Sequence, residues 1–368
     1  MTFVPDILTI AVLPLFATLG LTAVFTFLTI PLIKRAGLID DPKRHIHPGI
    51  IHTKPIPRGG GIPLFLGVLI AGFFFLPHTP TTFAIFFAAF LALSIGLIDD
   101  KMNALSKDVS PYLRFLVNIL TAVIVVASGV SIHYITNPFG AGVLHLDTIL
   151  LPLPLLHSSI ALSDIISVLW LIWIMNMLNW SKGVDGQMPG IVAISAIVIG
   201  ILSLRLNPTG QNHFIDAELS FIIAGAAIGF LLFNFHPAKI FPGYGATAIY
   251  LLLGVASIVT SAKLATAILV MGVPTVDALF IIVRRILAKK SPFQGDKKHL
   301  HHLLLHLGYN QKQIALFYWC ISGILGVLSF LLESRSKVFA ILMVIAMTGG
   351  ALFFLRMLIK KKDEKNTT

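Results

Sequence analysis

Apolar runs long enough to cross a lipid bilayer follow one another from one end of the chain to the other, and nothing else in the sequence constrains the fold as much. They fall at about 7–33, 62–77, 81–98, 112–132, 165–181, 191–206, 219–235, 246–262, 264–282, 315–333 and 337–358. In hydrocarbon each backbone N–H and C=O needs a partner within the protein, which a helix supplies from its own turns, and roughly 20 apolar residues carry a helix across. The expected fold is therefore all-α, a polytopic transmembrane bundle of about 11 helices. It forms a single integral membrane domain over residues 1–358, with a basic tail at 359–368. Only 12% of the 368 residues are charged and mean hydropathy is +0.90, against about 25% charged residues in soluble domains. Water is not the main solvent of this chain. The first run lacks a basic lead-in and a small-residue cleavage site, so it reads as a retained helix rather than a signal peptide.

Lys and Arg near helix ends orient the bundle, because they stay on the cytoplasmic side. With the amino terminus outside, the external gaps hold only Arg205, Lys263, Arg335 and Lys337 of the 27 basic residues. The carboxyl terminus is then cytoplasmic, as are the pairs Lys34-Arg35, Arg284-Arg285 and Lys289-Lys290. This placement explains the formal charge of +11 without nucleic acid, and no nucleic-acid partner is expected. The cell (inner, cytoplasmic) membrane, with the working face inward, is the expected location. The external stretch 133–164 is apolar and nearly uncharged, which suits a short hairpin or a segment lying on the membrane. Cys320 is the only cysteine and falls in an apolar run. Disulfides and cysteine-bound zinc are thereby excluded, and the thiol reads as inert core.

On this topology the unusual polar residues collect on the cytoplasmic side. The first loop ends His52-Thr53-Lys54-Pro55-Ile56-Pro57-Arg58-Gly59-Gly60-Gly61, a basic, glycine-rich segment that suits a phosphate as well as a tight helix entry. The third run ends in Asp99-Asp100. Adjacent carboxylates at the edge of the membrane are costly unless they bind a cation, share a proton or pair with a base, so they are candidates for general base, nucleophile or metal ligand. The fifth run ends Asn176-Met177-Leu178-Asn179-Trp180-Ser181-Lys182-Gly183-Val184-Asp185-Gly186. Its two asparagines share a helix face, and its glycines permit a turn that returns Asp185 toward them. Before the tenth run stands Pro292-Phe293-Gln294-Gly295-Asp296-Lys297-Lys298-His299-Leu300-His301-His302. Lys297 and Lys298 would repel a metal ion, so hydrogen bonding to phosphate or sugar oxygens is the favoured role for His299, His301 and His302.

In this order these segments, with Leu105-Ser106 and Pro111-Tyr112-Leu113-Arg114 between them, resemble the polyprenyl-phosphate N-acetylhexosamine-1-phosphate transferases. The His299-Leu300-His301-His302 arrangement is nearer the branch that initiates O-antigen and teichoic acid than the peptidoglycan branch. The resemblance implies an eleven-helix bundle that takes a UDP-HexNAc, UDP-N-acetylglucosamine or a relative, and undecaprenyl phosphate. It forms a lipid-linked sugar pyrophosphate, releases UMP and uses a Mg²⁺ site. It implies catalytic roles for Asp99, Asp100 and Asp185, the same three carboxylates being the candidate metal ligands. Substrate contacts are implied for Lys54, Arg58, Arg114, Asn176, Asn179, Lys182, His299, His301 and His302. A homodimer is compatible with this reading.

Two positions depart from the family pattern. In Asn-x-x-Asn-x-x-Asp-Gly-x-Asp-Gly the first aspartate falls on Lys182, and only the second survives, as Asp185. In a later segment ending Gly-Asp-x-Gly-Ser, this chain has Gly243-Tyr244-Gly245-Ala246-Thr247. An ammonium repels a divalent ion, so Lys182 itself is a candidate to neutralise a pyrophosphate. The alternative is a catalytically impaired relative that binds polyprenyl-phosphate intermediates. A transporter is less favoured, because the charge lies at one face rather than at the membrane midplane and no internal repeat is visible.

Overall fold

The computed structural model describes residues 7–43, 51–107, 109–137, 140, 142–153, 158–206, 215–258, 264–291 and 299–367. Residues 292–298, which include Lys297 and Lys298, lie outside them. A π-helical turn, Leu8–Val12, leads into α1 (Leu13–Arg35). The two-residue strands β1 (Ile39–Asp40) and β2 (Ile56–Pro57) pair antiparallel, with Asp40 opposite Ile56. Helices α2 (Gly61–Phe75), α3 (Pro80–Ala104) and α4 (Pro111–Ala127) follow. Two small antiparallel hairpins occupy the next stretch, β3 (Tyr134–Thr136) with β4 (Val143–His145), and β5 (Leu150–Leu153) with β6 (Ser158–Ala161). The remaining helices are α5 (Leu162–Trp180), α6 (Gln187–Leu206), α7 (Ile215–Asn234), α8 (Thr247–Ile258), α9 (Leu264–Val270), α10 (Gly272–Leu287), α11 (Leu300–His306), α12 (Gln311–Leu331) and α13 (Ser334–Thr367).

The protein is thus an all-α polytopic membrane bundle, and each of the eleven apolar runs coincides with a helix or a broken helix. Among the described residues seven helices are long and apolar enough to span a membrane, and α9 with α10, bent by 79° at their junction, form an eighth candidate. Helices α2, α4 and α8 are shorter apolar pieces. The break falls where Gly272 and Pro274 weaken the helix.

Helices α6 and α7 are central, with 67% and 72% of their spans buried, whereas the span of α13 is 6% buried and lies at the periphery. Apolar side chains that face outward here, such as Phe16, Phe27, Phe73 and Phe339, are those that lipid would cover. Cys320 belongs to this outward set, exposed on α12. The inert-core reading of it is therefore wrong, because an apolar run in a membrane does not distinguish core from lipid face. Along α1 the threonines Thr18, Thr22, Thr26 and Thr29 are buried. Thr18, Thr26 and Thr29 donate to backbone oxygens one turn back at 2.6–2.7 Å, which satisfies their hydroxyls without water.

Near one end of the bundle three backbones cross closely. A Cβ on Gly61 or on Gly96 would strike the backbone of Gly245, so the starts of α2 and α8 and the last turns of α3 meet only because these residues lack side chains. Gly96→Val is expected to force this crossing apart and lower stability by about 1–3 kcal/mol. Thermal unfolding of the detergent-solubilised chain measures it, and an unchanged midpoint would contradict the packing described.

Candidate active site

The crossing places the end of α3 beside the start of α8. Asp100 is fully buried and accepts three hydrogen bonds. Its Oδ1 accepts from Arg58 Nε at 2.9 Å and from the backbone N–H of Tyr244 at 2.8 Å, and its Oδ2 accepts from the N–H of Gly245 at 3.3 Å. Gly243, at φ +65°, bends the chain so tightly over this carboxylate that a Cβ there would collide with it. Arg58 continues outward to Asp40 (3.0 Å) and Asn103 (2.9 Å). The β1–β2 pairing supplies that geometry by holding Asp40 opposite Ile56, two residues before Arg58. Burial opposes the Arg58 charge, but Asp100 and Asp40 outweigh it and raise its pKa above the ordinary value.

Asp99 is nearly as buried, at 3% exposure, but is tied differently. Its Oδ1 accepts from Arg114 Nη1 at 3.1 Å. Arg114 enters from the first turn of α4, where Pro111 at N1 starts the helix. The guanidinium also lies over the ring of Tyr244, 5.0 Å from its centroid. The phenol oxygen of Tyr244 accepts from Asn118 Nδ2 at 3.3 Å. Burial pushes the Tyr244 phenol up, with Arg114 and Asn118 opposing, so it is neutral at physiological pH.

Lys182 reaches the same ring from the turn after α5, with Nζ 5.5 Å from the centroid. It donates to Gly243 O at 2.7 Å and to Asn179 Oδ1 at 2.9 Å. Asn179 in turn donates to Thr247 Oγ1 at 2.7 Å, which ties the end of α5 to the start of α8. Burial and then Arg58 pull the Lys182 pKa down to about 7, while Asp100 and Asp99 pull it the other way. Asn176 turns its amide back to Ile172 O at 2.8 Å on its own helix.

The histidines approach from α11. Asp277, a buried carboxylate on α10, accepts from the Leu300 N–H at 2.9 Å and pairs with His299 Nδ1 at 2.9 Å. His299 and His301 stack, 5.4 Å apart and 6° from parallel, and His302 lies 4.3 Å from His301. His301 is buried flat against Gly183, where no Cβ could be accommodated. Burial, and then His302 and His299, hold its pKa well below the ordinary value. It is a neutral hydrogen-bonding group, and its buried Nδ1 has no hydrogen-bond partner among the described residues.

Asp185 belongs to a second arrangement. Its Oδ2 takes His236 Nδ1 at 2.7 Å and the Ala238 N–H at 3.0 Å, and Gly186 N–H donates to Asn234 Oδ1 at 3.0 Å. These contacts turn Asp185 toward a cleft of about 760 Å³ between α1, α7 and the segment 51–57. One wall of the cleft is apolar, with Phe27, Leu28 and Ile30 of α1, and its polar rim carries Lys34, Lys54 and Lys239. The exposed flanks of Phe27 and Leu28 carry this wall to the outside of the bundle.

Of the residues singled out from sequence, Arg58, Asp99, Asp100, Arg114, Asn179 and Lys182 come together around Tyr244, and His301 abuts the Lys182–Gly183 turn. Lys54 and Asp185 line the cleft instead. Asp40, Asn118, His236 and Asp277 were missed. Only Asp277 carried a signal, as a carboxylate within an apolar run.

The Mg²⁺ implied by the family resemblance can be tested against this donor set. Among the described residues no three His, Cys, Asp or Glu side chains converge as a metal site. Asp100 already accepts from three donors, Asp99 and Asp100 each face a guanidinium, and Lys182 sits beside them. The protonated form of Lys182 opposes a divalent ion there. The residues present do not fit the ion.

Known proteins resemble this chain over most of its length. The family described as glycosyl transferase family 4 matches residues 82–261, a stretch holding Asp99, Asp100, Arg114, Lys182, Asp185 and Tyr244. The "probable undecaprenyl-phosphate N-acetylglucosaminyl 1-phosphate transferase" of Bacillus subtilis is 29% identical, over 83% of this chain and 81% of its own. The decaprenyl-phosphate N-acetylglucosaminephosphotransferase of Mycolicibacterium smegmatis is 32% identical, over 75% and 71%. The undecaprenyl-phosphate alpha-N-acetylglucosaminyl 1-phosphate transferase of Haemophilus influenzae is 30% identical, over 82% and 81%.

Proposed function

Because the chain belongs to glycosyl transferase family 4, among the polyprenyl-phosphate N-acetylhexosamine-1-phosphate transferases, we propose that it joins N-acetylglucosamine-1-phosphate from UDP-N-acetylglucosamine to undecaprenyl phosphate. A phosphate oxygen of the lipid attacks the sugar-linked phosphorus, the bond from that phosphorus to the bridging oxygen breaks, and UMP leaves with that oxygen. The observation that carries this reading is the pair Asp99–Asp100 held among Arg58, Arg114 and Lys182, at the polar end of an apolar bundle. Phosphoryl transfer depends on positioning and on charge at the transferred group, and this cluster supplies both.

The two carboxylates then differ in role. Asp100, with three donors directed at it, fixes Arg58 and the Gly243–Gly245 turn and is a positioning residue. Asp99, held by one bond to Arg114, is the residue able to orient the lipid phosphate and take its proton. Lys182 and Arg114 face the pyrophosphate, and His299, His301 and His302 face the sugar and its phosphate, with Asp277 fixing the His299 ring. The cleft between α1 and α7 suits an amphipathic or nucleotide ligand, with Lys54 and Asp185 at its polar rim and Asn179 bracing the turn beyond. Basic residues cluster at this end, which supports a cytoplasmic active face in a bacterial inner membrane. The relatives bear the names of working transferases, and nothing among them favours the impaired, binding-only reading.

With ³²P at the sugar-linked phosphate of UDP-N-acetylglucosamine, label is expected in the lipid fraction only when undecaprenyl phosphate is supplied. Release of UDP with sugar alone on the lipid would sink the proposal.

A further inference from the structure

We propose that Lys182, seated against the Tyr244 ring, is a built-in cation that stands where a divalent metal ion would otherwise neutralise the pyrophosphate, so that transfer here proceeds without added metal. This rests on the transferase reading above. Three observations lead to it. The carboxylates beside Lys182 already have cationic partners, Asp100 in Arg58, with two backbone N–H groups besides, and Asp99 in Arg114. Among the described residues the hydrogen-bond acceptors of Lys182 are neutral, Gly243 O and Asn179 Oδ1. An incoming anion can therefore engage the ammonium without first breaking an ion pair. Tyr244 receives both Lys182 and Arg114 over its ring. A π-face holds cations in place without adding a formal negative charge that a metal could use.

The two departures from the family pattern are thus one change. Carboxylate to ammonium at 182 shifts the local charge by two units, and carboxylate to phenol at 244 by one more. A metal ion brings two. The chemistry is otherwise unaltered, because the same P–O bond forms and the same UMP leaves.

The test uses the full chain in detergent or nanodiscs, with Mn²⁺ binding read by electron paramagnetic resonance and transfer measured in Mg²⁺ or in EDTA. The wild-type protein is expected to bind no stoichiometric Mn²⁺ and to keep its transfer rate in EDTA. Lys182→Gln is expected to lose about 100-fold in transfer, and Lys182→Arg to recover part of it. The double variant Lys182→Asp/Tyr244→Asp is expected to bind one Mn²⁺ and to depend on metal for any transfer. Stoichiometric Mn²⁺ binding by the wild type, or activity abolished by EDTA and restored by Mg²⁺, overturns the proposal. Absence of product from the wild type in every condition would overturn the transferase reading instead, and Mn²⁺ binding would still decide whether Lys182 has displaced the metal site.

Discussion

Asp99→Asn is expected to leave the protein folded and to lower transfer by about 10²–10⁴-fold, the range for loss of a general base in phosphoryl and acyl chemistry. The amide has nearly the shape of the carboxylate and can still accept from Arg114, whose bond to Oδ1 is the one hydrogen bond described for this side chain. Arg114 also keeps its contact with the Tyr244 ring, so little of the local packing is lost. What disappears is the negative charge that would take a proton from the lipid phosphate. Thermal unfolding together with initial rates separates the two quantities. A folded Asp99→Asn protein with the parental rate would remove Asp99 from the mechanism.

Asp100→Asn is expected to fail for a different reason. Its carboxylate receives three donors, Arg58 Nε and the N–H groups of Tyr244 and Gly245. An amide can keep its oxygen where Oδ1 stands, but its NH2 group then faces the Gly245 N–H, and Arg58 would keep only Asp40 to balance its charge. Breaking a buried ion pair by removing one partner costs about 3–5 kcal/mol, and the remaining Asp40 bond places this case near the lower end. The expected result is a depressed unfolding midpoint and poor recovery from the membrane, with activity lost as a consequence. The contrast between neighbours is the informative part. If Asp100→Asn folded normally and Asp99→Asn did not, the assignment of chemistry to one and anchoring to the other would be reversed.

The membrane class and the positions of the helices were legible because hydrocarbon leaves so few alternatives. Each apolar run needed only its length to be read. The bend between α9 and α10 was not, although Gly272 and Pro274 stood inside the run, because a breaker in a membrane helix can be absorbed by neighbouring helices. Similarly, Cys320 could not be assigned to core or lipid face, since both are equally apolar.

At the site, the acidic pair announced itself by sitting where charge is costly. Its division of labour did not, because the partners that distinguish Asp99 from Asp100 lie far away in sequence. Arg58 precedes the pair by 42 residues and Tyr244 follows Asp100 by 144. Asp185 shows the same limit. Spacing allowed it to return toward Asn176 and Asn179, but His236 and the Ala238 N–H, 51 and 53 residues on, hold it at the other cleft. Lys182 was conspicuous as a departure from a pattern, yet only the geometry shows that its partner is the other departure, Tyr244.

The most direct test of the account is UMP formation by purified wild-type protein and by folded Asp99→Asn protein, side by side, with UDP-N-acetylglucosamine and undecaprenyl phosphate. The account predicts lipid-dependent UMP from the wild type and at least 100-fold less from the variant. Equal rates from the two proteins, or no lipid-dependent UMP from the wild type, would contradict it.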